Sequence, residues 1–359
     1  MSMNHIRKVF TSAMWISPLT CLLLLPFTLF CKPLTLAPSP AMKGIFAPNS
    51  YLAAVEKFNV GGHSPEDVAI DSNGFIYVGL YGSKRIMKIN PDGTNPRVFA
   101  TVPGTPLGLD FDAAANLIVA DEPTGLLSVS PAGKVTVLTR ASEGRRITEA
   151  NDVEVAPDGK IYFSELTWKY GYGFFWLDFL EGKPHGRLMV YDPADKSTHT
   201  LLSDLYMANG VAVAPDNSFV LVNETNASRT RRYWLSGPKT GKNDIFIENL
   251  PGSTDGISRG TGGIFWMALP GFRETPVEKP KAIPMWKMMR DMPPNEWLVI
   301  LAAQKRSLFV LGLDQDGKVI FNLQGPADKF SIVTSVQEAN GYLYLGTIMG
   351  NEIGRVKRP

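Results

Sequence analysis

Short apolar runs recur along this chain at a spacing that predicts its architecture. Most are preceded by a Gly, Asn or Asp turn, and most end on a small or polar residue. The six runs are Phe75–Gly79, Asn116–Ala120, Lys160–Ser164, Phe219–Asn223, Gly263–Met267 and Tyr342–Gly346. Their starting points are separated by 41, 44, 59, 44 and 79 residues. A repeat of about 40 residues that contains several strands is typical of β-propeller blades.

The residues around each run predict hairpins. Pairs such as Asn73-Gly74 and Asn340-Gly341 reach positive φ at low cost and close hairpins between twisted strands. Alternating segments on either side, such as Val68–Ile70, supply the first and third strands of each unit. Three or four strands repeated six times predict an all-β, six-bladed β-propeller. Because one blade cannot bury both of its faces alone, we expect a single domain at 51–359, preceded by a linker at 31–50.

Two of the longer intervals contain insertions, at 166–186 and 271–306. The first is rich in aromatic residues: Trp168, Tyr170, Tyr172, Phe174, Phe175, Trp176 and Phe179. The second contains Pro284–Arg290 and Glu296–Ala303, whose patterns are typical of short amphipathic helices. Two interpretations remain open, since the insertions could pack on the ring as extra core or cover the propeller mouth as a lid. If both insertions lie on one rim of the ring, they would form an apolar entrance suited to hydrophobic substrates or to a membrane surface.

The amino-terminal segment predicts a membrane anchor. Residues 10–30 form a run of 21 uncharged, mostly apolar residues, which is long enough to span a bilayer. Arg7 and Lys8 precede the run and predict a cytoplasmic tail at 1–9, with the propeller on the periplasmic, lumenal or extracellular side. The alternative is a cleaved signal peptide and a secreted protein, although prolines crowd the region where cleavage would occur.

Charge and cysteine content narrow the function classes. The net charge is +2, without a basic block, so no nucleic-acid partner is expected, while a protein partner is left open. The two cysteines, Cys21 and Cys31, both precede the propeller. The folded domain therefore has neither a disulfide nor a thiol nucleophile.

Candidate metal ligands open the first strand of four blades. The segments are Pro65-Glu66-Asp67-Val68, Ala150-Asn151-Asp152-Val153, Ala208-Asn209-Gly210-Val211 and Thr254-Asp255-Gly256-Ile257. Because the innermost strands of a propeller line its central channel, equivalent positions in different blades converge on the axis. Two carboxylates and two amide oxygens suit Ca²⁺ better than Mg²⁺, and the sequence lacks the clustered His or Cys that zinc requires. At any single position, the alternative is a turn-capping residue.

Several longer sequence segments resemble those of a known family. They are Gly186–Asp192, Asn209–Asp216, Phe219–Thr225, Arg231–Pro238 and Gly262–Ala268. Together they are similar to the strictosidine synthase-like branch of the gluconolactonase and senescence-marker superfamily, and within it to the adipocyte plasma-membrane-associated proteins. The similarity extends more loosely from about Pro38 to the end of the chain and includes the amino-terminal anchor.

The resemblance implies a calcium site in the central tunnel of a six-bladed propeller. The family's ligand positions correspond to Glu66, Asn151, Asn209 and Asp255, the set that the strand register also selects. In related lactonases and phosphotriesterases the metal polarises the carbonyl or phosphoryl oxygen, and the aspartate that matches Asp255 is a candidate catalytic base or nucleophile. The resemblance therefore implies a calcium-dependent hydrolase of esters or lactones that acts on a small hydrophobic substrate.

Some positions depart from the pattern of this superfamily. Blade 2 opens with Pro106-Leu107-Gly108 and offers no histidine of the kind that paraoxonase-type relatives use, so His63 is the one histidine expected near the metal face. Strictosidine synthases use a glutamate where this chain has Thr334 and Ser335, and Glu338 is out of register. Gly256 stands where relatives carry Asn.

The departures leave two other functions open. One is a non-catalytic, calcium-stabilised propeller that binds a lipid or protein partner, and the other, ranked third, is a synthase or lyase. Polar residues near the ends of the second strands, Glu165, Glu224 and Asn226, are expected to be loop or rim groups.

Overall fold

Six four-stranded antiparallel sheets form a closed ring in the computed structural model, which describes residues 34–171, 173–273, 308–328, 330 and 332–359. The inner strand of each sheet contacts the inner strands of the two neighbouring sheets all the way around. The predicted all-β, six-bladed propeller is therefore confirmed, and Leu34–Pro359 forms one compact unit.

The strands of blades 1 to 3 follow one another from the axis outward. Blade 1 contains β2 (Pro65–Ile70), β3 (Ile76–Leu80), β4 (Arg85–Ile89) and β5 (Arg97–Thr101). Blade 2 contains β6 (Thr105–Phe111), β7 (Leu117–Glu122), β8 (Gly125–Val129) and β9 (Val135–Thr139). Blade 3 contains β12 (Ala150–Val155), β13 (Ile161–Glu165), β14 (Gly186–Asp192) and β15 (Ser197–Leu205). A small hairpin of β10 (Ala141–Ser142) and β11 (Arg145–Arg146) joins blades 2 and 3.

Blades 4 and 5 keep this order, while blade 6 takes its outer strand from the other end of the chain. Blade 4 contains β16 (Ala208–Val213), β17 (Phe219–Glu224), β18 (Arg229–Trp234) and β19 (Asn243–Ile247). Blade 5 contains β20 (Ile257–Arg259), β21 (Phe265–Ala268), β22 (Leu308–Leu313) and β23 (Val319–Gly325). Blade 6 contains β24 (Val333–Ala339), β25 (Tyr342–Thr347), β26 (Glu352–Lys357) and β1 (Glu56–Asn59). All six predicted apolar runs contribute to second strands.

Pairing of β1 with β26 closes the ring. Glu56 lies opposite Arg355 in the register, and their side chains form an ion pair of 2.7 Å. The Arg355 guanidinium also lies over the Phe58 ring, 4.5 Å from its centroid. The closing strand thereby covers the edge of β26, which would otherwise present unpaired backbone groups.

The hydrophobic core is distributed between the blades. Six buried clusters each contain side chains of two neighbouring blades, as in the packing of Tyr344 and Ile353 of blade 6 with Val68 and Val78 of blade 1. Because the second strands are covered on both faces, β3, β7, β13, β17 and β21 are buried at every residue. Their near-continuous apolar runs reflect this position between neighbours.

The first insertion contains one helix, α1 (Phe175–Glu181), which ends at Gly182 in the left-handed conformation. Residues 274–306 of the second insertion lie outside the described residues, and so do the amphipathic helices expected there. The predicted anchor at 10–30 also lies outside them. Among the residues that the structure describes, no helix is both long and apolar enough to cross a membrane.

Candidate metal centre

The inner strands are irregular at the end where they begin. Register shifts interrupt the pairing of the first two strands between Pro65 and Asp67, Pro106 and Leu109, Ala150 and Val153, Ala208 and Val211, and Val333 and Val336. In blade 5, β20 begins just after Asp255-Gly256. Such bulges turn a side chain away from its regular face and are frequent beside functional sites. We call the edge of the ring at which the inner strands begin the site rim.

The predicted ligands occupy one equivalent position at these irregular strand ends. They are Glu66 in blade 1, Asn151 in blade 3, Asn209 in blade 4 and Asp255 in blade 5, while Leu107 and Thr334 fill the position in the other blades. The Asn209 side chain hydrogen-bonds the Asp255 carboxyl, and Glu66 is close enough to Asp255 for their charges to interact. Neighbouring blades therefore direct oxygen-bearing side chains to a shared region of the axis.

Electrostatics makes this region unfavourable for bare carboxylates. Burial, followed by the negative charges of Asp255, Asp67 and Asp152, raises the pKa of Glu66 well above its ordinary value. Burial raises the pKa of Asp255 to about 8, partly opposed by the hydrogen bond from Asn209 and reinforced by the charge of Asp67. Both side chains keep some accessible surface, but the surrounding ring removes most of the water that would stabilise their charge. A bound cation would relieve this repulsion.

The donor set fits a hard divalent cation. Two carboxyls and two amides supply oxygen only, and they come from a rigid ring of separate blades rather than from one flexible loop. Calcium accepts such mixed oxygen ligands, with water completing the shell. Glu66, Asn151, Asn209 and Asp255 are the residues that would hold it.

A second set of carboxylates near the axis accepts hydrogen bonds from backbone amides of the next blade. Asp67 Oδ2 accepts a 2.7 Å hydrogen bond from the Leu109 amide, and Asp152 Oδ2 accepts one of 2.7 Å from the Val211 amide. Asp110 makes the corresponding 2.7 Å bond to the Val155 amide. Sequence reasoning did not assign these roles. The bonds join blade 1 to blade 2, blade 2 to blade 3 and blade 3 to blade 4, and these carboxylates line a polar axial cavity formed by all six inner strands.

Glycines allow the blades to approach closely at the site. A Cβ atom on Gly210 would lie 2.4 Å from the Asp255 carbonyl oxygen and 2.4 Å from the Ile257 amide nitrogen. Both are backbone atoms, so they cannot move aside as a flexible side chain can. The sequence Asn209-Gly210 thus places a ligand and a close inter-blade contact side by side.

Replacing Gly210 with Ala is expected to move the Asp255 segment, weaken calcium binding and destabilise the fold by about 1–3 kcal/mol. Calcium titration and thermal unfolding measure the two effects. Gly171→Ala is the control, because nothing lies within 4 Å of a Cβ at that position. Unchanged calcium affinity in Gly210→Ala would show that the Asp255 backbone does not determine the site.

Three equivalent glutamates end the second strands of blades 2, 3 and 4, and the expectation that Glu165 and Glu224 are loop or rim groups is wrong. Both are fully buried. Glu165 pairs with Arg187 Nε at 2.5 Å, and Glu224 pairs with Arg229 Nε at 2.5 Å. Because hairpin pairing brings each arginine opposite its glutamate, the charges are compensated inside the ring. Asn226 is half-buried and donates to the Phe179 carbonyl of α1.

The third glutamate, Glu122, has no such arginine in the described part of the chain, since Gly125 begins the next strand. Burial raises its pKa to about 7, partly opposed by a hydrogen bond from the Gly173 amide. A raised folded-state pKa means that the native protein holds a proton that the unfolded chain releases. Stability contributed by this proton is present at low pH and is lost as the pH rises through about 7.

We expect Glu122→Gln to stabilise the protein at pH values above 7 by up to roughly 3 kcal/mol and to have little effect near pH 4, since one pKa unit corresponds to about 1.4 kcal/mol. Denaturant unfolding across this pH range provides the measurement. Glu165→Gln is the matched control and should destabilise, because it leaves buried Arg187 unpaired. A destabilised Glu122→Gln protein at high pH would contradict the assignment.

The insertion carries a further cluster that sequence reasoning did not select. Ligand atoms of Asp178, Glu181 and His185 all lie within 4.8 Å of one another. His185 is buried and its ring nitrogen bonds Asp178, while Glu181 accepts from Lys169 and Tyr170. Burial alone would raise the pKa of Glu181, but these hydrogen bonds lower it to about 2. The cluster links α1 to the insertion segments on either side of it, and Glu181 also pairs with Lys169 and Lys183.

The structure also places the residues at which this sequence departs from the family pattern. His63 is exposed in the loop before β2, three residues ahead of Glu66. Thr334 and Ser335 both donate to the Glu66 carbonyl oxygen, at 2.7 and 3.0 Å, and so support the backbone of that ligand. Glu338 lies further along β24, where it accepts from Trp266 Nε1 at 2.6 Å and pairs with Arg358. It is a structural group away from the site rim.

Solved structures with this fold include a gluconolactonase from Xanthomonas campestris, with a TM-score of 0.62 and 16% identity over 92% of this chain and 96% of that one. A calcium-binding protein, regucalcin, from Agrobacterium tumefaciens has a TM-score of 0.58 and 15% identity over 83% of this chain and 92% of that one. At these identities the likeness shows the fold.

Sequence comparison is more specific. The strictosidine synthase family model matches residues 151–238, and the model for the amino-terminal part of strictosidine synthase-like proteins matches residues 44–82. Strictosidine synthase-like protein 6 of Arabidopsis thaliana is 34% identical over 85% of this chain and 82% of its own length. The adipocyte plasma membrane-associated protein of Gallus gallus is 32% identical over 90% of this chain and 83% of its own length. The chain belongs to the strictosidine synthase-like family.

Proposed function

We propose that this protein is a calcium-dependent hydrolase of esters or lactones. The observation that carries the proposal is the equivalent placement of Glu66, Asn151, Asn209 and Asp255 around the axis. There, the negative charge of Asp255 disfavours the ionised form of Glu66. The solved neighbours support it, because one is a gluconolactonase and another is a calcium-binding protein. Bound calcium would polarise the substrate carbonyl and stabilise the developing negative charge.

Asp255 is the proposed catalytic residue. Its carboxyl receives a hydrogen bond from Asn209 and has a pKa raised by burial, and bound calcium would hold it ionised at neutral pH. A carboxylate with increased proton affinity at the axis is suited to take a proton from an attacking water or to attack the carbonyl itself. Asn209 orients the carboxyl, and Thr334 and Ser335 fix the backbone of Glu66.

The insertion favours small hydrophobic substrates. The Gly173 amide binds Glu122 of blade 2, the insertion itself connects β13 and β14 of blade 3, and the Phe179 carbonyl accepts from Asn226 of blade 4. The insertion therefore extends across three blades on the site rim. Its aromatic side chains would exclude water and favour apolar ester or lactone groups.

Localisation follows the predicted anchor. We propose that residues 10–30 hold the chain in a membrane, with the propeller on the periplasmic, lumenal or extracellular side. The relatives known as adipocyte plasma membrane-associated proteins support a membrane location. Protease treatment of intact and permeabilised membranes would distinguish this topology from its reverse.

Hydrolysis assays test the proposed function. The protein is incubated with phenyl acetate and a panel of lactones, first with calcium, then with excess chelator, and then with calcium restored. We expect hydrolysis that disappears on chelation and returns with calcium. A calcium-loaded protein that hydrolyses no member of the panel would favour the non-catalytic propeller, and turnover that survives chelation would contradict the role of the metal.

A further inference from the structure

The aromatic insertion and the axial site share one rim of the ring. Ala150, at the start of β12, pairs with Glu165, at the end of β13, and the insertion begins at the next residue. The second insertion also leaves this rim, because it follows β21, whose last residue Ala268 accepts from the Asp255 amide. Both insertions therefore depart from the edge where Glu66 and Asp255 lie.

The amino-terminal chain is tied to the same rim at two points. The Leu34 amide donates a 3.1 Å hydrogen bond to the carbonyl of Gly182, which caps the carboxyl end of α1. Three residues later, the Ala37 carbonyl accepts from Arg273, a buried side chain at the start of the second insertion. Residues 34–37 are thus fixed beside the first insertion and at the start of the second.

The surface around α1 combines exposed aromatic and basic groups. Phe174 at the helix start is 46% exposed, and Phe175 is half-buried. Lys169 and Lys183 flank the helix and both pair with Glu181, and the Arg145 guanidinium stacks on Trp168, 4.4 Å from the ring centroid. Aromatic rings beside cationic side chains are typical of surfaces that lie at the boundary between lipid headgroups and acyl chains.

We propose that this surface, formed by Arg145, Trp168, Lys169, Phe174, Phe175 and Lys183, docks on the lipid bilayer that holds the apolar run. Three residues separate Phe30 from Leu34. An extended chain covers about 3.3–3.6 Å per residue, so the chain from Phe30 to Leu34 can span at most roughly 14 Å. A tether this short on the site rim would turn that rim toward the membrane. Lys169 and Lys183 share one carboxylate, Glu181, so together with Arg145 they leave an excess of positive charge that favours anionic headgroups.

Docking in this orientation gives molecules in the bilayer direct access to the axis. The channel mouth faces the lipid, so apolar molecules dissolved in the bilayer reach it without crossing bulk water. The orientation does not depend on the reaction at the axis. It therefore holds equally for a hydrolase and for a non-catalytic propeller.

Site-directed labelling of the full chain tests the proposal. Cys21 and Cys31 are first replaced with Ser, because they are the two native cysteines. Phe174→Cys is labelled with an environment-sensitive fluorophore in vesicles of phosphatidylcholine and phosphatidylserine. Val98→Cys on β5 is the matched control, since Val98 is 50% exposed on an outer strand of blade 1.

We expect a blue-shifted emission at position 174, severalfold protection from aqueous iodide, and quenching by nitroxide-labelled lipid, with none of these at position 98. Replacing phosphatidylserine with phosphatidylcholine should reduce the protection. A label at 174 that iodide reaches as easily as the one at 98 would overturn the proposal. Iodide protection without quenching by lipid would also overturn it, because protein would then cover Phe174.

Discussion

Asp255→Asn is expected to reduce ester and lactone hydrolysis by roughly a hundredfold to ten-thousandfold, the range over which positioned acid–base groups act. Asparagine has the shape of aspartate and can still hydrogen-bond Asn209, so the ring should keep its structure. It cannot accept a proton or attack as a carboxylate, and it supplies less charge to the metal. Steady-state kinetics at saturating calcium, with circular dichroism to confirm folding, measures the loss.

The control for this variant is Asp204→Asn. Asp204 lies on β15, the outer strand of blade 3, and pairs with Arg231 of blade 4; its side chain is 65% exposed, so its removal should leave hydrolysis unchanged. Wild-type rates in folded Asp255→Asn protein would exclude this carboxyl from the chemistry. The reaction would then have to depend on other groups at the axis.

Removing calcium is expected to destabilise the ring as well as abolish activity. A ligand that binds the folded state alone at a hundredfold excess over its Kd stabilises that state by about 2.7 kcal/mol. For a chain of this size, the loss corresponds to a fall of several degrees in Tm. Differential scanning calorimetry with calcium and with chelator measures the difference.

Glu66→Gln separates the metal effect from the repulsion between carboxylates. Without calcium, the variant should unfold at a higher temperature than the wild type, since Glu66 no longer lies beside Asp255, Asp67 and Asp152 as a fourth carboxyl. With calcium, it should gain little further stability. A calcium-dependent rise in Tm as large as that of the wild type would show that Glu66 is not a ligand.

Local signals explain how much of the fold could be predicted. The second strands were predictable because their apolar runs and preceding turns are adjacent in sequence. The strand β22 was missed because the second insertion separates it from β21. Ring closure was missed for a different reason, since β1 and β26 pair residues from opposite ends of the chain, as Glu56 and Arg355 do.

In the site, too, the local sequence predicts some roles, while others depend on contacts between distant residues. Glu66, Asn151, Asn209 and Asp255 could be selected because four blades repeat one register, even though each residue alone resembles a turn cap. The inter-blade role of Asp67 could not be predicted, because it depends on which backbone amide of the next blade lies within reach.

The buried ion pair of Glu165 depends on a strand register that is hidden by the insertion. Arg187 stands directly opposite Glu165 in the hairpin of β13 and β14, but the insertion lies between them in sequence. An aligned hairpin would have placed a cation beside that carboxylate. Blade 2 lacks this buried glutamate–arginine pair among the described residues, because Gly125 begins the strand that follows Glu122.

Calcium titration by calorimetry tests the central claim most directly. The chelator-treated full chain is titrated with calcium beside Glu66→Gln, Asp255→Asn and, as a control in the other acidic cluster, Glu181→Gln. We predict one tight equivalent in the wild type and in Glu181→Gln, and its loss in Glu66→Gln and Asp255→Asn. No calcium binding by the wild type, or unchanged binding in both axial variants, would contradict a metal centre formed by the inner strands.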